Sequence, residues 1–241
     1  MLRNIFRYEK DKYMHSGKLI LPEILMCGYL GFAYSIAPQN ILDSFSLCSL
    51  VVFLLMLSVG VMYDDINYQM IEMSMFVKLK KKELLYFGKV MMIAYISLTF
   101  TLASILIPIL LHCLNKMQLF DRAIVFSDIL SGSILFFLVS MSGGITGLLA
   151  NRRIFSNRTL AISLSALTGI AAITKVSLNK DIFITRFFTW ILPPVNEISI
   201  AYCKETYFSL NSTGIYFIWL LLYIVIEIFI YIKLMLRRGY A

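Results

Sequence analysis

Two adjacent carboxylates, Asp64 and Asp65, are the side chains in this sequence whose spacing first suggests catalysis. Paired aspartates hold diphosphate-bound magnesium in membrane prenyltransferases and phosphatidyltransferases, and such sites need several carboxylates to neutralise the metal and the phosphates. Here the stretch reads DDINYQMIE, and no second aspartate cluster occurs in the sequence. The pair therefore does not predict a magnesium-dependent enzyme.

Other catalytic patterns give no stronger signal. The two histidines, His15 and His112, stand alone and outside any HExxH pattern. A phosphate-binding loop at Gly88-Lys89 is excluded because Glu83 stands where the first glycine of that motif is required. The four cysteines are scattered and match neither a disulfide framework nor a metal-ligand spacing. We therefore expect this chain to be no enzyme by itself and to bind no metal or cofactor.

The composition indicates a membrane protein. Of the 241 residues, 59% are hydrophobic and 15% are charged, whereas globular chains carry about 25% charged residues. Apolar runs of about 20 residues, each able to cross ~30 Å of hydrocarbon, accommodate this composition. We predict an all-α membrane protein with a single transmembrane domain over 1–241 and six transmembrane helices. The predicted spans are 19–37, 41–62, 87–112, 124–150, 159–176 and 214–236.

The distribution of Lys and Arg predicts the orientation, because loops rich in them stay in the cytoplasm. One side of the membrane holds five in the N-terminal segment, five between spans two and three, three between spans four and five, and three at the C-terminal end. The opposite side holds the other six of the 22. We expect a multi-pass plasma-membrane protein with both termini cytoplasmic, and the net charge of +8 needs no nucleic-acid partner.

Two segments outside the spans are predicted to have structure of their own. The N-terminal residues place Leu2, Ile5 and Tyr13 near one helical face, which predicts an interfacial helix contacting membrane lipids, although Glu9 interrupts the apolar stripe. The alternative is an unstructured basic tail. Residues 182–192 are too short to span and precede Pro193-Pro194, so they predict a short re-entrant or interfacial helix before span six.

Three carboxylates within the predicted spans are candidates for a function, because charged groups in hydrocarbon are costly. Glu23 and Asp128 lie near the ends of spans one and four, and Glu23 is expected to be an interfacial carboxylate. Glu227 is the deepest, in span six. Either a structural pairing or a transport role fits Glu227, and the sequence does not separate them.

Small residues concentrate in span four, at Gly143, Gly144 and Gly147, and continue into span five. Spacings of three and four residues between small side chains let helices approach closely. We expect tight packing in the bundle, and a flexible point at Gly143-Gly144 is the alternative.

The loop between spans two and three carries the motif-like part of the sequence, YDDINYQMIEMSMFVKLKKKELLYFGKV. It resembles the first intracellular loop of ABC-2 type transporter permeases, in which an acidic start leads to a coupling helix, a basic patch and a Gly-Lys. The matching residues are Asp64 and Asp65 at the acidic start, Glu72 in the coupling helix, Lys80, Lys81 and Lys82 in the basic patch, Glu83 after it, and Gly88 with Lys89 at span three. The sequence departs from the pattern at Gln69-Met70, where Gly-Thr is common, and at Leu79-Lys80, which replaces a proline step.

The resemblance implies a permease subunit of a bacterial ABC exporter that pairs with a second permease copy or a homologous permease. ATP and magnesium would bind to a separate ATP-binding cassette subunit. A cytoplasmic coupling helix would insert into a cleft of that subunit, with apolar anchors at Ile71, Met73, Met75 and Phe76. The compact architecture resembles permeases for peptide export or bacteriocin immunity, by analogy alone.

Two alternatives to a permease with a coupling loop remain open. An ion- or proton-coupled secondary transporter would use Glu23 and Glu227, and a solvated basic loop without a partner would explain the lysines. The sequence leaves open the substrate and the direction of transport.

Overall fold

The computed structural model describes residues 2–63, 77, 79, 81–150, 154–155, 157–181, 189–204 and 210–238 of the chain. The elements formed by these residues are α-helices. In chain order they are α1 (Leu2–His15), α2 (Ile20–Ala33), α3 (Ile41–Tyr63), α4 (Glu83–Leu114), α5 (Phe126–Leu149), α6 (Arg158–Asp181), α7 (Val195–Cys203) and α8 (Leu210–Arg238).

Five of the described helices are long and apolar enough to cross a membrane, namely α3, α4, α5, α6 and α8. This confirms the prediction of an all-α, multi-pass membrane protein. Their bounds agree with the predicted spans to within a few residues, and α4 begins earlier than expected, at Glu83. The first predicted span, 19–37, corresponds to α2, which has only 14 residues because the chain turns at Tyr34 and Ser35.

The centre of the bundle is the packing of α3 against α5, where glycines remove the side chains that would keep the two backbones apart. A Cβ atom at Gly147 would lie 2.9 Å from the Cα of Gly60 and would collide with the carbonyl oxygen of Leu57. A Cβ atom at Gly143 would collide with the carbonyl oxygen of Phe53. These α5 glycines therefore let the backbones of the two helices meet directly.

Gly144 and Gly132 serve the same packing in a different way, because side chains face them. A Cβ atom at Gly144 would lie 2.5 Å from Cγ2 of Ile93 on α4. At Gly132 it would lie 2.8 Å from the ring of Phe45 on α3. α5 is thus packed on two sides, against α3 and against α4.

The two ends of the bundle are distinguished by their connections. At one end, called here the α1 end, α1 lies beside the end of α3 and the start of α4. At the opposite end, the connection after α2 pairs with the connection after α4: Gln39 N donates to Leu119 O at 3.0 Å, and Asp121 N donates to Gln39 O at 3.0 Å. Backbone pairing therefore fixes the two connections to each other.

The short helix α7 is packed inside the bundle on α3. Residues 182–188 of the expected segment 182–192 lie outside the described residues, whereas the short helix that is described begins after Pro193-Pro194, at Val195. Pro194 stands immediately before the first turn of α7, where a missing N–H costs nothing. The prolines therefore precede α7, and the short helix predicted over 182–192 stays a prediction.

Candidate functional site

The first candidate site is the base of the loop that connects α3 to α4, at the α1 end. Tyr63, the last residue of α3, is fully buried, and its hydroxyl donates a 2.6 Å hydrogen bond to Oε2 of Glu9 on α1. Its ring stacks on the ring of Tyr13, with 4.9 Å between the centroids. Lys12 Nζ lies 3.9 Å from the same Glu9 carboxylate oxygen. The end of α3 is therefore fixed to α1 by polar and aromatic contacts.

The start of α4 is fixed to the same helix. Ile5 of α1 packs against Gly88, where an added Cβ would lie 2.6 Å from Ile5 Cγ2. Phe6 makes an edge contact with Tyr95, with 6.0 Å between the ring centroids, and Lys10 Nζ lies 4.8 Å from the centroid of that ring. A single helix thus contacts both ends of the α3–α4 loop.

Five of the predicted loop residues lie within the described part of the chain. Lys81, Lys82 and Glu83 are exposed at the start of α4, whereas Gly88 and Lys89 are buried in its second turn. The other predicted loop residues, Asp64, Asp65, Ile71, Glu72, Met73, Met75, Phe76 and Lys80, lie outside the described residues.

Burial of Glu9 explains why it interrupts the apolar stripe of α1. The residue is 0% exposed and faces the bundle, where Tyr63 supplies a hydrogen-bond donor. Burial also raises the pKa of the Tyr13 phenol, and the charge of Glu23 adds to this effect. Tyr13 therefore remains an uncharged phenol throughout the physiological pH range.

The three carboxylates predicted within spans occupy different environments. Glu23 is exposed on α2. Asp128 is fully buried in the first turn of α5, and Arg122 donates to both of its oxygens, at 2.6 and 3.0 Å. Asp128 also accepts from the backbone N–H of Val125 at 3.1 Å, so it caps its own helix. Glu227, on α8, faces α5, and Thr146 Oγ1 lies 2.9 Å from its Oε1.

Polar contacts that the sequence analysis did not predict hold α7 in the bundle. Ser46 donates to the Ser199 carbonyl at 3.0 Å, and the hydroxyls of Ser49 and Ser199 lie 3.3 Å apart. Tyr202 and Ser131 pair through their hydroxyls at 2.8 Å. The three-residue spacing of Ser46 and Ser49 was visible in the sequence, but their partner is about 150 residues away.

An ion pair between α6 and α7 also holds α7 in the bundle. Lys175 Nζ lies 3.3 Å from Glu197 Oε1 and 3.4 Å from the carbonyl oxygen of Leu192. The Lys175 side chain is 6% exposed, so the pair is shielded on the lysine side. It fixes the turn that contains the two prolines against α6.

Scans of the chain against protein-family models, curated proteins and solved structures found no match.

Proposed function

We propose that this chain is the membrane-spanning permease subunit of an ABC-2 type ATP-binding cassette transporter. It exports a peptide or another amphiphile by using ATP that a separate subunit hydrolyses. The observation that carries the proposal is the contact of α1 with both ends of the α3–α4 loop, through Tyr63 and Gly88. A partner that pushes on this loop would move α3, α4 and α1 as one unit.

The length of α4 and the close packing of α3 suit this role. α4 has 32 residues and is about 48 Å long, more than the ~30 Å of hydrocarbon, so one end projects beyond the membrane. α3 meets α5 backbone to backbone at Gly60 and Gly147, close to the loop. Rigid, closely packed helices transmit a displacement at the loop to the rest of the bundle.

We also propose six spans, with α2 as the first. Its 14 residues cover about 21 Å, and a short helix is accommodated by local thinning of the bilayer. Before α2, Lys18 Nζ donates to the carbonyl oxygen of Met62, at one end of α3. After α2, Gln39 Nε2 donates to the Ala33 carbonyl, close to Ile41 at the other end of α3. α2 therefore runs antiparallel to α3 along most of its length.

In the proposed orientation, the α1 end faces the cytoplasm, together with both termini, and α1 lies at the membrane surface. α7 is a re-entrant helix that enters the bundle from the outer side. The proposed coupling helix carries Ile71, Glu72, Met73, Met75 and Phe76, and the charged residues on either side of it are Asp64, Asp65, Lys80, Lys81, Lys82 and Glu83. A second permease copy, or a homologous permease, completes the transmembrane unit.

The experiment is capture of the affinity-tagged chain from native membranes. We expect a Walker-type ATP-binding subunit and ATP hydrolysis in the eluate. Phe76→Asp should remove both, and Glu72→Ala should reduce the hydrolysis that accompanies transport. Met117→Asp is the matched control because Met117 is 71% exposed at the opposite end of the bundle. Recovery of the wild-type chain without any ATP-binding subunit would contradict the proposal.

A secondary transporter driven by an ion or proton gradient is the alternative. It would rest on Glu227 alone, because Glu23 is exposed on α2. Flux that depends on Glu227 and on a gradient, without ATP hydrolysis, would favour this alternative.

A further inference from the structure

A groove of about 340 Å³ lies between α8 and the turn that precedes α7. Trp190 of the turn and Trp219 of α8 line it, together with Tyr223, Ile226 and Glu227. The Tyr223 hydroxyl donates a 2.6 Å hydrogen bond to the carbonyl oxygen of Ile191, which joins the two walls. Tyr223 stands about 15 Å along the helix from Thr213, so the groove lies well within the span.

Among the described residues, Glu227 is the only carboxylate that lines this groove. The residue is 5% exposed. Its Oε1 lies 2.9 Å from Thr146 Oγ1. The Tyr223 hydroxyl lies beside the same carboxyl but gives its one hydrogen to the Ile191 carbonyl, so the buried Oε2 receives no hydrogen bond from the described residues. No ion pair joins Glu227 to another residue in the part of the chain that the structure describes. A buried carboxyl oxygen without a donor is costly, so this oxygen is suited to a donor from a ligand.

The other walls of the groove are apolar and aromatic. Trp190 is 73% exposed, Trp219 47% and Ile226 57%, so the groove opens sideways from the helix bundle. For a membrane protein, this opening faces the hydrocarbon of the bilayer. Indole faces attract organic cations that lie within about 6 Å of the ring centre. The groove therefore combines an acceptor for a cation with a surface for an apolar chain.

We propose that this groove binds an amphiphile that carries an organic ammonium group. The ammonium donates to Oε2 of Glu227 beside the two indoles, and the apolar chain extends along α8 into the bilayer. A metal ion is disfavoured because Mg²⁺ or Ca²⁺ requires six or more oxygen ligands, and Glu227 supplies the one carboxylate among the described residues of the groove. An anionic carboxylate or phosphate head carries no hydrogen to donate to this oxygen. Ligand binding in this groove does not depend on the proposed transporter function.

The neighbours of Glu227 indicate the variant to use. Thr146 Oγ1 also lies 2.8 Å from the carbonyl oxygen of Ser142, and a hydroxyl has one hydrogen to donate. In Glu227→Gln, the new amide donates to Thr146 while Thr146 donates to Ser142. The contacts between α8 and α5 are thereby preserved, and the ionisable carboxyl is replaced by an amide that cannot carry a negative charge.

Both tryptophans of the chain line the groove, so intrinsic fluorescence reports on it directly. The full chain in phosphatidylcholine nanodiscs is titrated with 11-bromoundecylamine, whose bromine quenches tryptophan, and with 11-bromoundecanol as the neutral match. We expect saturable quenching by the amine, with at least tenfold weaker binding of the alcohol. Glu227→Gln should weaken binding of the amine at least tenfold. Glu23→Gln, which removes an exposed carboxylate from α2, should leave it unchanged.

Equal quenching by the amine and the alcohol in the wild-type chain would overturn the proposal, and so would unchanged amine affinity in Glu227→Gln. The first comparison needs no variant, so it decides even if Glu227→Gln fails to fold. Adding phosphatidylethanolamine to the nanodiscs identifies the source of the ammonium group. Competition with the amine supports binding through a lipid headgroup, and amine binding without competition supports a free amphiphile.

Discussion

Tyr13 and Tyr63 stack on each other with 4.9 Å between their ring centroids, yet their hydroxyls differ. The Tyr63 hydroxyl donates to the buried Glu9 carboxyl at 2.6 Å, whereas the buried Tyr13 hydroxyl has no hydrogen-bond partner among the described residues. We expect Tyr63→Phe to lower the free energy of unfolding by about 1–3 kcal/mol, because a buried carboxyl oxygen loses this donor. Tyr13→Phe should be neutral or slightly stabilising, because it removes an unsatisfied hydroxyl and keeps the stacked ring.

Unfolding in detergent, followed by circular dichroism, measures both variants. Each loses one oxygen atom from a buried tyrosine at the same location, so each is the control for the other. Equal destabilisation by the two substitutions would contradict the assigned role of the Tyr63–Glu9 hydrogen bond.

The crossing of α3 and α5 gives a second prediction. Gly147→Ala places a methyl group against the carbonyl oxygen of Leu57 and the Cα of Gly60, so the helices must separate. We expect a loss of about 1–3 kcal/mol in the free energy of unfolding. Gly31→Ala is the matched control because a Cβ there has no neighbour within 4 Å, and alanine favours the helix. If both substitutions had the same effect, the close contact at Gly147 would be wrong.

The ion pair between Arg122 and Asp128 gives a third prediction. Asp128 is fully buried and Arg122 is largely shielded, with 17% of its side chain exposed. Asp128→Asn leaves the guanidinium without its counter-ion and weakens the cap of α5, so we expect a loss of about 2–4 kcal/mol. The measurement is a double-mutant cycle with Arg122→Met. Coupling of less than about 0.5 kcal/mol between the two sites would argue against the pair.

Contact between α1 and α4 gives a fourth prediction, which can be tested by compensation. Gly88→Ala puts a methyl group 2.6 Å from Cγ2 of Ile5, and this contact displaces α1 from α4. We expect Gly88→Ala to lower the melting temperature and the ATP-driven transport of the complex. Adding Ile5→Ala removes Cγ2 and should restore part of both quantities. A double variant that is no better than Gly88→Ala would show that the two residues do not meet.

Hydrophobicity and small-residue spacing predict the general class of this fold well, but the pairing of distant residues is not visible in them. The five long helices follow from apolar runs that any correct fold must bury or place in lipid. Gly143, Gly144 and Gly147 could be recognised by their spacing, but Gly60, which meets Gly147, stands alone in its own helix. Local patterns identify a packing surface and leave its partner undetermined.

The same limit applies to the polar residues. Glu9 could be interpreted from the sequence only as a break in an apolar stripe, because its partner Tyr63 is 54 residues away. Thr146 and Glu227 are 81 residues apart. Arg122, by contrast, is six residues from Asp128 and lies before a helix start, so that pair could have been inferred from the sequence.

Site-specific cross-linking in living cells tests the proposal that the loop between α3 and α4 binds an ATP-binding subunit. A photoreactive amino acid replaces Phe76 in one variant and Met117, exposed at the opposite end, in the other. We expect illumination to join position 76 to a polypeptide containing a Walker nucleotide-binding motif, identified by mass spectrometry, and position 117 to give no such product. Adducts at position 76 that contain no ATP-binding subunit would contradict the proposed role of the loop.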